Sequence, residues 1–153
     1  MTRVGSPKMT HKILLAFDFG MKRIGVAVGQ TVTQTARPLQ TLLAKSGKPS
    51  SDAIKHLIEK WHPDALIVGI PLNMDGTEQV ISQHARAFSE LLREQYHLPV
   101  YEVDERLTTK DAREQLFRQG GYKALQGGQV DSLAAQLILQ NWFVENGSPP
   151  SRG

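Results

Sequence analysis

Apolar residues fall into two patterns along the chain. Between Ile13 and Leu43 they form short runs with strand spacing. Ile13 to Phe17, "ILLAF", is wholly apolar, as in a strand covered on both faces. In Arg23 to Val28, Ile24, Val26 and Val28 alternate with Gly25 and Ala27. The link "DFGMK" is too short for a crossover helix, so these two runs form an antiparallel hairpin. Ala36 to Leu43 reads as a weaker third strand, completing a meander. Beyond it the period lengthens. Ile54, Leu57, Ile58 and Trp61 recur at helical spacing after two candidate N-caps, Ser50 and Ser51, and Pro63 stops that helix. Ala65 to Ile70, "ALIVGI", is another buried strand, and "PLNMDG" after it is a turn-rich loop. Ile81, Ala85, Phe88, Leu92 and Tyr96 line one face of a longer helix that ends by Pro99. Val100 to Val103 is a fifth strand running into "DER". Thr108 with Asp111 resembles a capping box for a short helix to about Gln119. A glycine-rich loop, "GGYKALQGG", precedes a last helix over Val130 to Val144.

The predicted order is thus β-β-β-α-β-α-β-α-α. A meander followed by alternating helices and strands gives an α/β fold with a mixed sheet and helices on both faces. Five strands are expected, three in the antiparallel meander and two further parallel ones. This is the outline of an RNase H-like fold.

A length of 153 residues suits a single domain with a core of ordinary size. That domain is expected over 12–145. Residues 1–11 read as a flexible lead, and 146–153, "NGSPPSRG", as a disordered tail without an apolar anchor. The absence of cysteine excludes disulfides and thiolate metal sites. No apolar run reaches membrane-spanning length, and "MTRVGSPKMT" lacks the apolar middle of a signal peptide, so the cytoplasm is the expected location. A net charge of +3 is compatible with a polyanionic partner without demanding one.

Several acids stand where packing alone would not put them. Asp18 ends a run of five apolar residues. Asp104 and Glu105 follow the fifth strand in the same way. Asp131 shares a helical face with Ala135, Ile138 and Trp142, which should pack on the sheet. A charge there is costly unless paired. Each acid also has a purely structural reading: Asp18 as a turn former, Asp131 as an acid favoured at a helix start, Glu105 as a surface ion-pair partner. Taken together, two strand ends and a helix start could bring three carboxylates to one point. Such a cluster repels itself unless a divalent cation holds it. Hard cations such as Mg²⁺ and Mn²⁺ take oxygen ligands, and two ions clamped by carboxylates can cleave phosphodiesters.

The segments "FDFGMKRIGVAVG", "GIPLNMDG", "VDERLTT" and "VDSLAAQLILQ", in this order and spacing, closely resemble the YqgF family of bacterial proteins, also called RuvX or pre-16S rRNA nuclease. The resemblance covers about residues 12–144. It implies an RNase H-like fold related to RuvC-type Holliday junction resolvases. It also implies a nuclease role in ribosome biogenesis at the 5′ end of pre-16S rRNA, with junction resolution as the alternative. The family's acidic site falls on Asp18, Glu105 and Asp131, with Asp104 in reserve because strand register decides which neighbour faces the metal. The implied cofactor is Mg²⁺ or Mn²⁺, as two ions. Lys22, Arg23 and Arg106 are candidates to hold the nucleic-acid backbone. Lys123, with Tyr122, offers charge and stacking from a flap. Lys22, Arg23 and Arg106 also read as solvated surface charge, Lys22 above all, and the loop of Tyr122 and Lys123 as a plain flexible linkage. The expected assembly is a monomer or weak homodimer.

Asn73 and Asp75 of "PLNMDG" are substrate contacts or turn formers, the turn reading being slightly favoured. The five histidines show no metal-ligand spacing. The opening motif also resembles the first phosphate loop of the actin, Hsp70 and sugar-kinase superfamily, whose nucleotide cleft needs two such domains. A non-catalytic RNA-binding factor is a further alternative.

Overall fold

The computed structural model describes residues 12–105 and 129–147, the side chains of 129–131 excepted. Its elements are strands β1 (Ile13–Asp18), β2 (Arg23–Gln30), β3 (Thr35–Lys45) and β4 (Lys48–Pro49), helix α1 (Ser51–Trp61), strand β5 (Ala65–Ile70), helix α2 (Val80–Tyr96), strand β6 (Val100–Asp104) and helix α3 (Gln129–Trp142). A π-helical turn, Phe143–Gly147, continues α3 and is closed by a bond from Asn146 Nδ2 to the Trp142 carbonyl at 3.2 Å. The short helix and glycine-rich loop expected over 108–128 lie outside the described residues, as do both chain ends.

One mixed sheet holds the strands in the order β4-β3-β2-β1-β5-β6. The first three form the expected antiparallel meander, and β5 and β6 add parallel to β1 and to each other. There are six strands rather than five. The sixth, β4, pairs only Pro49 with Ala44 and Lys48 with Lys45. It exists because Ser46 and Gly47 both take positive φ, 52° and 79°, which reverses the chain in a two-residue turn matched to strand twist.

Alternation along the strands sorts side chains into two cores. Leu15, Phe17, Ile24, Val26, Leu66, Val68 and Ile70 meet Ile54 and Leu57 of α1 and Ala85, Phe88 and Leu92 of α2. Phe88 sets its ring edge-on to Phe17, with centroids 5.5 Å apart. Leu14, Ala16, Ala65 and Ile67 meet Ile138, Leu139, Trp142 and Phe143 on the other side. Helices therefore cover both faces, as the apolar-throughout strands β1 and β5 require. Burying each of the larger side chains contributes about 1.5–3 kcal/mol.

Helix ends follow local chemistry. Ser50 caps α1 by accepting the Ala53 N–H at 3.3 Å, and left-handed His62 with Pro63 ends it. Asp64 accepts the N–H groups of Lys12 and Ile13, both at 2.9 Å, and so fixes the start of β1. No helix among the described residues is long and apolar enough to cross a membrane.

Candidate functional site

The C-terminal end of β1 is flanked by glycine on both sides. Asp18 is in register with Gly25 of β2 and with Gly69 of β5. Neither neighbour carries a side chain, so the half-buried Asp18 looks onto open backbone. Leu14 and Ala16 face α3, and alternation puts Asp18 on that face as well.

Glu105 reaches the same place from β6. Tyr101 and Val103 pack towards α3, whereas Val100 belongs to the core under α2. Glu105 keeps the parity of Tyr101 and Val103, because its N–H still bonds the Ile70 carbonyl at 3.1 Å. Its Oε1 is buried and lies 3.3 Å from where a Cβ on Gly69 would stand. Gly69 thus makes room for the Glu105 carboxylate beside Asp18. Asp104 has the opposite parity, that of Glu102, and is in register with Ile70.

Asp131 stands in the first turn of α3, and its side chain lies outside the described residues. The face assigned to it is the packing face. Ala135 and Ile138 are fully buried, Trp142 nearly so, and Ile138 Cδ1 would come 2.6 Å from a Cβ on Gly69. Among the described residues no three His, Asp or Glu side chains converge on one point.

The turn after Asp18 is as tight as its glycine suggests. A Cβ on Gly20 would stand 2.4 Å from the Arg23 carbonyl oxygen, so the chain closes only with glycine there. Lys22 and Arg23 are exposed just beyond it. Arg106, Tyr122 and Lys123 lie outside the described residues.

The loop after β5 uses its polar groups on itself. Asp75 Oδ1 accepts from the Thr77 N–H at 3.0 Å and hydroxyl at 2.6 Å, and Asn73 Nδ2 donates to Thr77 Oγ1 at 2.9 Å. Gly76, at φ 89°, completes a turn, so Asn73 and Asp75 act as turn formers. His56, His62, His84 and His97 are all exposed.

Sequence reasoning missed what holds this end of the sheet. Ser82, fully buried, donates to the Pro71 carbonyl and accepts the Gln79 N–H at 2.8 Å. One turn further along α2, Arg86 binds Glu78 through Nε at 3.0 Å and Glu102 through a terminal nitrogen at 2.6 Å. The Arg86 guanidinium holds the Glu78 carboxyl below its ordinary range through this hydrogen bonding. α2 thereby ties the loop after β5 to β6, the two segments on either side of the Ile70–Glu105 bond. The one sequence signal was Gly69, a glycine inside an otherwise apolar strand.

Asp18 and Glu105 bring carboxylate oxygens, the donors a hard cation takes, to the same face of the sheet.

Comparison with known proteins agrees with this architecture. A family model described as "RuvX: Holliday junction resolvase" matches residues 12–145. A protein of Aeromonas salmonicida named "Putative pre-16S rRNA nuclease" is 51% identical over 137 residues, covering 90% of this chain and 98% of the relative. One of Escherichia coli O7:K1 with the same name is 52% identical over 132 residues, covering 86% and 96%. Among solved structures, Thermus thermophilus RuvC bound to a Holliday junction superposes with a TM-score of 0.54 at 16% identity, over 92% of this chain and 99% of that one. Fowlpox virus resolvase with junction DNA gives 0.52 at 14% identity, over 87% and 97%. At these identities the likeness speaks for the fold, which is RNase H-like. With the family model spanning nearly the whole chain and relatives near half identical, the chain belongs to the RuvX family.

Proposed function

We propose that this chain is a metal-dependent nuclease that hydrolyses phosphodiester bonds in processing the 5′ end of pre-16S rRNA. The observation that carries the reading is the strand register, which sets Asp18 opposite Gly69 and the Glu105 carboxylate over that same glycine. The names of the half-identical relatives supply the substrate. In this reading Asp18, Glu105 and Asp131 hold Mg²⁺ or Mn²⁺, two ions in the full site, and Asp104 is left on the other face of the sheet. When bound, the ions acidify water and offset the charge that develops on the leaving 3′ oxygen. The chain's own contribution is placement. Ladder hydrogen bonds fix the Asp18 and Glu105 backbones, so their carboxylates need little reorganisation before reaction. Lys22, Arg23, Arg106 and Lys123 hold the nucleic-acid backbone. The protein works in the cytoplasm as a monomer or weak homodimer. A second reading, cleavage of branched DNA, rests on the description of the family itself.

The deciding measurement is Mg²⁺- or Mn²⁺-dependent cleavage of three labelled substrates: a pre-16S 5′ leader RNA, unstructured RNA and a four-way DNA junction. Wild type should cut the leader RNA, and Asp18→Asn should lose about 100-fold or more, beyond what indirect metal-site partners cost. Preference for the junction would favour the second reading. Equal cutting by both proteins would remove the carboxylates from the mechanism. Binding without cutting would leave an RNA-binding factor.

A further inference from the structure

The sheet face that carries Asp18 continues towards β4, with no described helix over it there. Arg23 pairs with Leu43, and Lys45 pairs with Lys48. Ile24 and Leu42 belong to the core under α1 and α2, so alternation turns Arg23, Leu43, Lys45 and Lys48 to the opposite face, that of Asp18. α3 meets this face at the other end of β2 and β3. There Leu139 meets Gly29, and Gln136 Nε2 donates to the Ala36 carbonyl at 2.8 Å. At the Asp18 end Arg23, Lys45 and Lys48 are exposed, and Leu43 is 77% exposed.

Two features make this more than ordinary surface charge. First, Lys45 and Lys48 stand directly opposite each other in a two-pair ladder, an arrangement that repels and destabilises. No carboxylate among the described residues forms an ion pair with either lysine or with Lys22 or Arg23. Second, the hairpin is seated firmly on the site. The Gly47 N–H bonds the Met21 carbonyl at 2.9 Å and the Ala44 N–H bonds the Lys22 carbonyl at 2.8 Å. Gly47 lies so close to Phe19 that a Cβ would come 2.8 Å from its ring.

We infer that the β3–β4 hairpin is a backbone-binding arm, in which Lys45 and Lys48 hold phosphates of the nucleic-acid strand leading away from the carboxylates. The inference rests on the nuclease reading and extends it to residues outside the acidic site. Two strand spacings across and four residues along the sheet put Lys45 roughly 16 Å from Asp18, so the arm meets phosphates beyond the scissile one. Being already ordered, it engages them with little loss of freedom.

The test uses fluorescence anisotropy with end-labelled single-stranded RNA, in an Asp18→Asn parent so that the RNA stays intact. Affinity is measured across a salt series. Adding Lys45→Gln and Lys48→Gln should lower the steepness of log K against log salt by about 1.4, two single-strand phosphate contacts at about 0.7 each. Lys45→Arg with Lys48→Arg should restore it. A charge-matched control, Lys12→Gln with Lys55→Gln, should keep the parent slope. Melting temperatures report folding, and the glutamine pair should melt at or above the parent because the repulsion is gone. An unchanged slope in the glutamine pair, or an equal loss in the control, overturns the arm while leaving the nuclease reading intact. A parent with no RNA affinity removes both.

Discussion

Gly69 is the residue on which packing and chemistry meet. A Cβ there would stand 2.6 Å from Ile138 Cδ1 and 3.3 Å from Glu105 Oε1. Both atoms are side-chain ends that must give way, the Ile138 methyl more than the Glu105 oxygen because it stands closer. Gly69→Ala should therefore cost about 1–3 kcal/mol by overpacking, read as a lower melting temperature. It should also weaken Mn²⁺ binding, read by metal titration. Loss of stability with unchanged metal binding would reduce Gly69 to a packing residue. Gly20→Ala is harsher, because the atom 2.4 Å away is the backbone oxygen of Arg23 and cannot rotate aside. Lower stability than Gly69→Ala is expected in the same melts.

At the scale of elements, α2 acts as a brace. Ser82 holds the end of β5, and Arg86 joins Glu78 to Glu102. Because Arg86 lowers the folded-state value of the Glu78 carboxyl, the pair contributes stability above the ordinary carboxylate range and loses it as pH falls through the lowered value. Both groups are largely exposed, so the effect is modest and weakens with salt. Arg86→Gln should melt below wild type at neutral pH, and the gap should close on acidification below the ordinary carboxylate range. A gap independent of pH would mean that Arg86 acts through packing of its stem alone. The hairpin of β3 and β4 shows how a small signal sets an element. Ser46-Gly47 reads as a turn only if both residues take positive φ, and that hairpin is what the five-strand expectation lacked.

Across the whole molecule, the two cores and the carboxylate end are coupled by the sheet. Trp142 is 2% exposed and lies against Tyr101 with ring centroids 5.6 Å apart, so Trp142→Ala should cost about 3–5 kcal/mol and lower the melting temperature strongly. If divalent ions bind at Asp18 and Glu105, saturating Mn²⁺ should raise the wild-type melting temperature. At 100 times the dissociation constant this corresponds to about 2.7 kcal/mol, and Asp18→Asn should abolish it. Equal shifts in both proteins would place metal binding elsewhere.

The sequence by itself determined the element types and most of the order, because strands buried on both faces and helices packed on one face leave different apolar periods. "ILLAF" and "ALIVGI" could be little else, and the helical face of Ala135, Ile138 and Trp142 was readable from spacing. It also pointed to Asp18, since a carboxylate closing a buried strand is conspicuous. Only the tertiary structure decided which neighbour of Asp18 would be empty. β5 inserts between β1 and β6, and the Asp18–Gly69–Val103 register then follows from pairing between segments far apart in the chain. The same pairing put Glu105 and not Asp104 on the side of α3. Adjacent acids are alike in a sequence, and the parity of a strand is fixed by the partner it pairs with.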